Sequence, residues 1–404
     1  MELGIYVHIP FCMKKCDYCD FISYSNCFDM QDKYVETLLE EIEENKDLIK
    51  NNFISTIYIG GGTPSAIKPE LIKRILDKIY DIIDILAEKI EITIEVNPGT
   101  TTKKNLEMYR KCGINRLSIG LQSTDDFILK DIGRIHNYAQ FLDTYKWANE
   151  VGFENINVDL MLGLPGQNIK ILKNSLEKVI NLKPMPNHIS VYSLIVEEGT
   201  KIEQRIEKGE LNLPDDKEER TQYHYMKNFL ELNGYKHYEI SNFAKPEFES
   251  KHNMNCWEQK QYVGFGVAAS SYVNGVRYSN TSDLEKYLSV KTSDIDIVEG
   301  NITRSNEIET EIGRGLDGFE NVRVIEENQN KFDMEKEFMI LGLRKLDGVS
   351  ISKFEEKFGE NPIYLFRNEL NKLVKEDLLE IDLDYIKLTS KGLDLANLVW
   401  EEFV

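Results

Sequence analysis

His8-Ile9-Pro10-Phe11-Cys12-Met13-Lys14-Lys15-Cys16-Asp17-Tyr18-Cys19-Asp20-Phe21 packs three cysteines into eight residues, spaced C-x3-C-x2-C, directly behind an apolar run over 3–8. Three thiolates at this spacing can each hold one iron of a cubane cluster. Such clusters normally take four cysteines, so one iron is left open to another ligand. An open iron is a place where a small molecule can chelate and receive an electron, which makes the loop a reactive site. Structural zinc held by the three cysteines and His8 is the alternative. Zinc ligands usually come as two separated pairs, and no second pair follows in this chain. A disulfide framework fits less well, because Cys27, Cys112 and Cys256 are scattered and no signal peptide precedes the loop.

Outward from the loop, apolar β-rich runs alternate with helical patterns. Strands are expected over 3–8, 56–60, 90–96, 116–119, 156–161 and 189–192, with helices over 33–49, 71–86, 104–112, 141–151 and 171–182. Repeated β-α units imply a parallel sheet with helices outside, here an α/β fold with a partial (β/α)6 barrel. Chemistry in such folds gathers at the C-terminal ends of the strands, where the cysteine loop lies. Residues 1–235 are read as this core, including a helix over 215–233. Residues 236–291 are read as an extension lining the site, with an extended segment over 236–240 and irregular chain over about 242–280, and 292–332 as an acidic insertion or linker. Residues 333–404 read as helices followed by a short strand pair (379–382 and 385–388) and a last helix, resembling a small winged helix. From Glu335 to Val404 there are 10 Lys or Arg against 15 Asp or Glu, so packing or gating suits this domain better than DNA binding.

The whole chain, 404 residues with a net charge of -20, is too acidic for nucleic acid to be a main partner and allows at most peripheral membrane contact. At 41% apolar residues without a long uncharged run, no transmembrane span is expected. The first strand begins almost at Met1, leaving no room for a targeting segment, so a reducing cytoplasm is the expected compartment.

Several residues near the expected strand ends carry chemistry. Gly60-Gly61-Gly62-Thr63-Pro64 would let backbone N–H groups approach an anion, although a tight turn would use the same glycines. Glu95 and Asp159 each stand at an otherwise apolar strand terminus, as ligands for an amine or ribose hydroxyls or as capping carboxylates. Gln122 and Arg134 add a neutral and a cationic donor, and Arg134 suits a carboxylate by bidentate pairing.

These motifs recur together. The cysteine loop, the glycine turn, Glu95-Val96-Asn97-Pro98, Gly120-Leu121-Gln122-Ser123, Gly133-Arg134-Ile135-His136 and Asp159-Leu160-Met161-Leu162-Gly163-Leu164-Pro165-Gly166 resemble, in that order, the radical S-adenosylmethionine (SAM) superfamily. Within it they resemble the branch of the oxygen-independent coproporphyrinogen dehydrogenases and the HemW-type heme chaperones. The resemblance covers nearly the whole chain. It implies a [4Fe-4S] cluster on Cys12, Cys16 and Cys19, and SAM chelated to the open iron. Tyr6, Gly61, Gly62 and Thr63 would contact the methionine moiety, and Glu95, Gln122, Arg134 and Asp159 would complete the pocket. An electron donor for the cluster is implied as well.

Two classes compete within the branch: an enzyme that decarboxylates porphyrinogen propionates, and a protein that binds heme and delivers it to recipients. A methyltransferase of related architecture is a third reading. The dehydrogenases follow the third cysteine with x-Cys, where this chain has Asp20-Phe21, and they carry an extension ahead of a loop that here begins after eleven residues. Both features resemble the chaperones. So does Lys251-His252-Asn253-Met254-Asn255-Cys256-Trp257, which is similar to a His-Asn-x-x-Tyr-Trp motif associated with heme, with Cys256 in place of Tyr. Ser270 likewise stands where relatives usually carry His. His252 would supply an axial nitrogen and Trp257 would wall the porphyrin, and Cys256 is either a second ligand or a buried neutral thiol. A His252 held by core hydrogen bonds is the alternative.

Overall fold

Strand β1 (Glu2–Ile9) alternates buried Leu3, Ile5, Val7 and Ile9 on one face with Gly4, Tyr6 and His8 on the other. This two-residue period governs the core. In the computed structural model, which describes residues 1–83, 86–290 and 318–404, five more strands lie parallel to β1: β2 (Phe53–Gly61), β3 (Leu86–Val96), β4 (Arg116–Gln122), β5 (Asn155–Leu162) and β6 (His188–Ser193). Parallel neighbours need long crossovers. These are supplied by helices α1 (Gln31–Glu44), α2 (Pro69–Ile82), α3 (Lys103–Lys111), α4 (Tyr138–Glu150) and α5 (Ile169–Ile180). Helix α2 shows why they pack outside: Leu71, Ile72, Ile75, Leu76 and Ile79 fall on one stripe and are all buried against the sheet. The expected partial barrel of six β-α units is present.

The opposite faces of the strands line the lumen, and there the sequence turns polar: Tyr6 and His8, Thr56 and Tyr58, Glu91, Thr93 and Glu95, Arg116 and Ser118, Asn157 and Asp159, His188 and Ser190. Helix α6 (Lys201–Glu207) crosses under the cysteine loop, and α7 (Asp216–Leu232) closes the core.

Two expectations are corrected. The extended segment expected over 236–240 is present as a strand, but the stretch over about 242–280 is not irregular lining: it continues the sheet. Strand β7 (Lys236–Glu239) pairs antiparallel with β8 (Asn242–Ala244), which in turn adds antiparallel to β6, and helix α8 (Lys251–Trp257) follows. On the far side β9 (Gln261–Phe265) runs parallel to β1 and carries the antiparallel β10 (Ser270–Val273) and β11 (Val276–Asn280). The β10–β11 turn is Asn274-Gly275 with φ of 52° and 79°, the left-handed pair a two-residue hairpin requires. The supposed linker over 292–332 is likewise structured at its end. Arg323–Asn328 forms β12, an edge strand paired with β11, and its run of charged residues suits an exposed edge. Of that stretch, 292–317 lies outside the described residues. The sheet order is β12-β11-β10-β9-β1-β2-β3-β4-β5-β6-β8-β7.

The C-terminal domain packs helices α9 (Lys331–Gly342), α10 (Ile351–Phe358) and α11 (Arg367–Lys375) against a small sheet of β13 (Val349–Ser350), β14 (Leu379–Ile381) and β15 (Tyr385–Leu388). Its core is aromatic, with Phe338 edge-on to Phe354 at 5.6 Å and Phe366 edge-on to Phe403 at 5.4 Å. It docks on the barrel through Ile240 N–H to the Arg344 carbonyl and Leu346 N–H to the Tyr238 carbonyl. Among the described residues no helix is long and apolar enough to cross a membrane.

Candidate functional site

The cysteine loop leaves the C-terminal end of β1 and is held against the end of β2. Gly62 N–H donates to the Ile9 carbonyl at 2.8 Å, and Tyr24 N–H to the Pro10 carbonyl at 2.7 Å. A Cβ on Gly62 would lie 2.9 Å from the Pro10 carbonyl carbon and 3.1 Å from Cys12 Sγ; on Gly61, with φ +112°, it would lie 2.6 Å from the His8 ring. The glycines are therefore required by the approach of the cysteine loop itself. Gly61 N–H is engaged by Glu95 Oε2 at 3.2 Å, so this turn is not simply a nest of free donors.

Each cysteine has an identifiable neighbour. Cys12 Sγ lies 3.4 Å from Thr63 Oγ1, Arg134 Nη1 lies 3.6 Å from Cys16 Sγ, and Cys19 N–H donates to the Cys16 carbonyl at 3.2 Å. All three are free thiols. Burial raises Cys12, and burial with the neighbouring Cys16 pushes Cys19 up to about 11, so metal binding here must release protons. Among the described residues no three His, Cys, Asp or Glu side chains converge to hold a single metal ion. Three thiols on one short loop, two of them beside a hydroxyl or guanidinium donor, fit a multi-iron group.

Between Cys16 and Cys19 the loop carries a residue that motif reading passes over. Asp17 is buried, its Oδ1 3.1 Å from Lys201 Nζ and its Oδ2 3.0 Å from Arg205 Nη1, both on α6. Its own N–H donates to the Ile132 carbonyl at 3.0 Å, and Ile202 N–H donates to its carbonyl at 2.7 Å. Asp17 thus fastens the middle of the cysteine loop to two other segments. Its partners are 184 and 188 residues away, and no local signal announces them.

The other expected residues gather at the same end of the lumen. Tyr6 OH bonds His8 Nδ1 at 2.9 Å, and its ring stacks on Tyr58 at 6.3 Å. Glu95 accepts from Tyr58 OH at 2.8 Å; burial raises it to about 7, the nearby Asp159 adding to this against the Tyr58 bond. Asp159 accepts from Asn157 Nδ2 at 2.7 Å and Ser118 Oγ at 3.0 Å, and burial raises it too. Both carboxylates therefore have internal partners and also face the lumen. Gln122, with φ +67°, ends β4, and a Cβ on Gly120 would meet both Gln122 Nε2 at 3.1 Å and Arg134 Nη2 at 3.0 Å. Arg134 departs from the bidentate carboxylate pairing expected of it: Nη2 donates to Asn97 Oδ1 at 2.8 Å and the Gly120 carbonyl at 2.6 Å, while Nη1 faces Cys16.

The residues expected around heme separate. Helix α8 starts on Glu91, whose Oε2 and Oε1 accept from the N–H groups of Lys251 and His252, each at 3.1 Å. His252 is buried among the beginnings of β1 and β2, at the opposite end of the strands from the cysteines. Its Nδ1 lies 2.9 Å from Thr56 Oγ1 and its ring stacks on Tyr58 at 5.1 Å. Burial, with the charge of Arg116, lowers it to about 4, so the ring is neutral near pH 7. Trp257 does not face His252. The Arg344 guanidinium lies 4.4 Å from its ring, tying α8 to the C-terminal domain. Cys256 and Trp257 line a separate cleft of about 260 Å³ with Tyr262, Tyr272 and Arg277. Burial pushes the Cys256 thiol up to about 11, which disfavours a thiolate ligand.

A model of the Radical SAM superfamily matches residues 6–179, and one of the HemN C-terminal domain matches residues 332–395. The heme chaperone HemW of Lactococcus lactis is 36% identical over 399 residues, covering 99% of this chain and 96% of the relative. That of Bacillus subtilis is 35% identical over 400 residues, covering 99% and 98%. A solved structure of coproporphyrinogen III oxidase (HemN) from Escherichia coli superposes with a TM-score of 0.81 at 23% identity, over 99% of this chain and 89% of that one; the likeness speaks to the fold. The barrel and cysteine loop are those of radical SAM proteins, a class implying a [4Fe-4S] cluster and SAM. Within that superfamily the chain belongs to the HemW-type branch.

Proposed function

We propose that the protein is a heme chaperone of the radical SAM type, which binds heme, a [4Fe-4S] cluster and SAM and passes heme to recipient proteins. The observation that carries this reading is the end-to-end similarity to relatives named as heme chaperones. Cys12, Cys16 and Cys19 would hold the cluster. Tyr6, Gly61, Gly62, Thr63, Glu95, Gln122 and Asp159 would enclose SAM, with Arg134 positioned beside Cys16. A cluster held there would supply one electron to the sulfonium of SAM, so an external electron donor is part of the proposal. The chain's own contribution is placement: Asp17 anchors the loop, and Glu95 and Asp159 offer carboxylates to a cation. Heme would be ligated by His252. If Nδ1 donates to Thr56 Oγ1, the Nε2 lone pair is available to iron and the ring is held in one orientation.

Anaerobic reconstitution followed by heme titration tests this, with coproporphyrinogen conversion assayed in parallel. Wild type and Cys256→Ala should bind heme alike, and His252→Ala should lose at least tenfold in affinity. Failure of the wild type to bind heme, or its turnover of coproporphyrinogen, would overturn the chaperone reading.

A further inference from the structure

The lumen contains a buried cation that the cluster and SAM assignments leave unused. Arg116 is only 2% exposed, and its Nε is buried without a partner. Among the described residues no hydrogen bond or ion pair reaches this guanidinium. Arg134, Arg205 and Arg277 all find oxygen acceptors. The lumen carboxylates Glu91, Glu95 and Asp159 are engaged elsewhere: Glu91 by the N–H groups of Lys251 and His252, Glu95 by Tyr58 and Gly61, Asp159 by Asn157 and Ser118. The charge of Arg116 is nonetheless felt there: it works against the burial that raises Glu95 and Asp159, and adds to the burial that lowers His252. Thr93, the register partner of Arg116 on β3, also has a buried hydroxyl without a partner. A forked cationic donor and a hydroxyl stand side by side, and a buried charge without an acceptor is costly.

A planar two-oxygen anion matches the guanidinium fork. We infer that Arg116, assisted by Thr93, anchors a propionate carboxylate of the bound tetrapyrrole. This rests on the heme reading above. The SAM pocket proposed above would lie beside the cysteine loop at the C-terminal ends of the strands, whereas Arg116 is the first residue of β4. His252 stacks on Tyr58, which pairs in register with Thr93, which pairs in turn with Arg116. The Arg116 charge also acts on His252 itself, so the guanidinium and the proposed iron ligand share one part of the lumen.

The test compares heme with heme dimethyl ester, whose arms cannot ionise, titrated into wild type, Arg116→Met, Arg116→Lys and Thr93→Val after anaerobic reconstitution. Wild type should prefer heme to the diester at least tenfold. Arg116→Met should bind the two alike, while Arg116→Lys should retain part of the preference and Thr93→Val most of it. Equal binding of heme and diester by wild type, with loss of both in His252→Ala, would overturn the propionate anchor and leave the heme reading intact. Failure of wild type to bind either compound would overturn both. Should Arg116→Met not fold, as judged by its circular dichroism melt, the wild-type ratio and Arg116→Lys decide the matter.

Discussion

Asp17→Asn removes the charge that fastens the cysteine loop while preserving the size of the side chain. The two ion pairs lost are unequal. Lys201 is 62% exposed, and an exposed pair contributes about 0–1 kcal/mol. Arg205 is 22% exposed, and its charge-assisted bond at 3.0 Å to a buried oxygen contributes about 1.5–3 kcal/mol. The backbone bonds to Ile132 and from Ile202 survive the substitution, so the loop should loosen by about 2–3 kcal/mol rather than unfold. At 1.36 kcal/mol per factor of ten, opening of the loop becomes roughly 30- to 150-fold more frequent. Iron release from the anaerobically reconstituted protein to a ferrous chelator reads this directly, with the melting temperature followed in parallel. Arg205→Ala should accelerate release nearly as much, and Lys201→Ala far less. Iron release within threefold of wild type in Asp17→Asn would refute the reasoning.

Further outcomes follow from the same geometry. Gly61→Ala places a Cβ 2.6 Å from the His8 ring at φ +112°, and should cost about 2–4 kcal/mol in thermal or denaturant unfolding. Because burial holds Glu95 at about 7 rather than its ordinary 4.5, the folded protein binds its proton more tightly than the unfolded chain. Its contribution to stability is therefore greatest below about 4.5 and is lost as pH rises through about 7. Glu95→Gln should flatten that slope in melting scans, and should also remove a rise in SAM affinity across the same pH range, as calorimetry would show. Cys27→Ala and Cys112→Ala should retain iron and the broad visible absorption, whereas alanine at Cys12, Cys16 or Cys19 should abolish both.

Much of the barrel was legible because its signals are periodic. The alternation of Leu3, Ile5, Val7 and Ile9 with Gly4, Tyr6 and His8 marks a strand with one core face, and the stripe on α2 marks a helix. Beyond residue 235 the same signals were present but short. Asn274-Gly275 between Val273 and Val276 is a hairpin signature, yet the stretch read as irregular because its strands are short and rich in Ser, Asn and Gly. Strand β12 escaped because an exposed edge strand has little burial pattern to show. At the heme motif, sequence proximity misled: Trp257 follows His252 by five residues, but the short helix delivers it to Arg344 of the C-terminal domain.

The placement of Cys12, Cys16 and Cys19 on one loop was decided by the sequence alone, because C-x3-C-x2-C ties the three thiols together by covalent distance. The period-two alternation likewise determined which face of each strand is apolar. Tertiary structure alone decided what acts on those groups. Asp17 finds Lys201 and Arg205 only once α6 crosses beneath the loop, and Arg134 reaches Cys16 across 118 residues. Arg116 is stranded without an acceptor only when the strands curve around the lumen. These are contacts between distant segments, set by how the sheet curves and how the loops return, and no local pattern of residue types encodes that geometry.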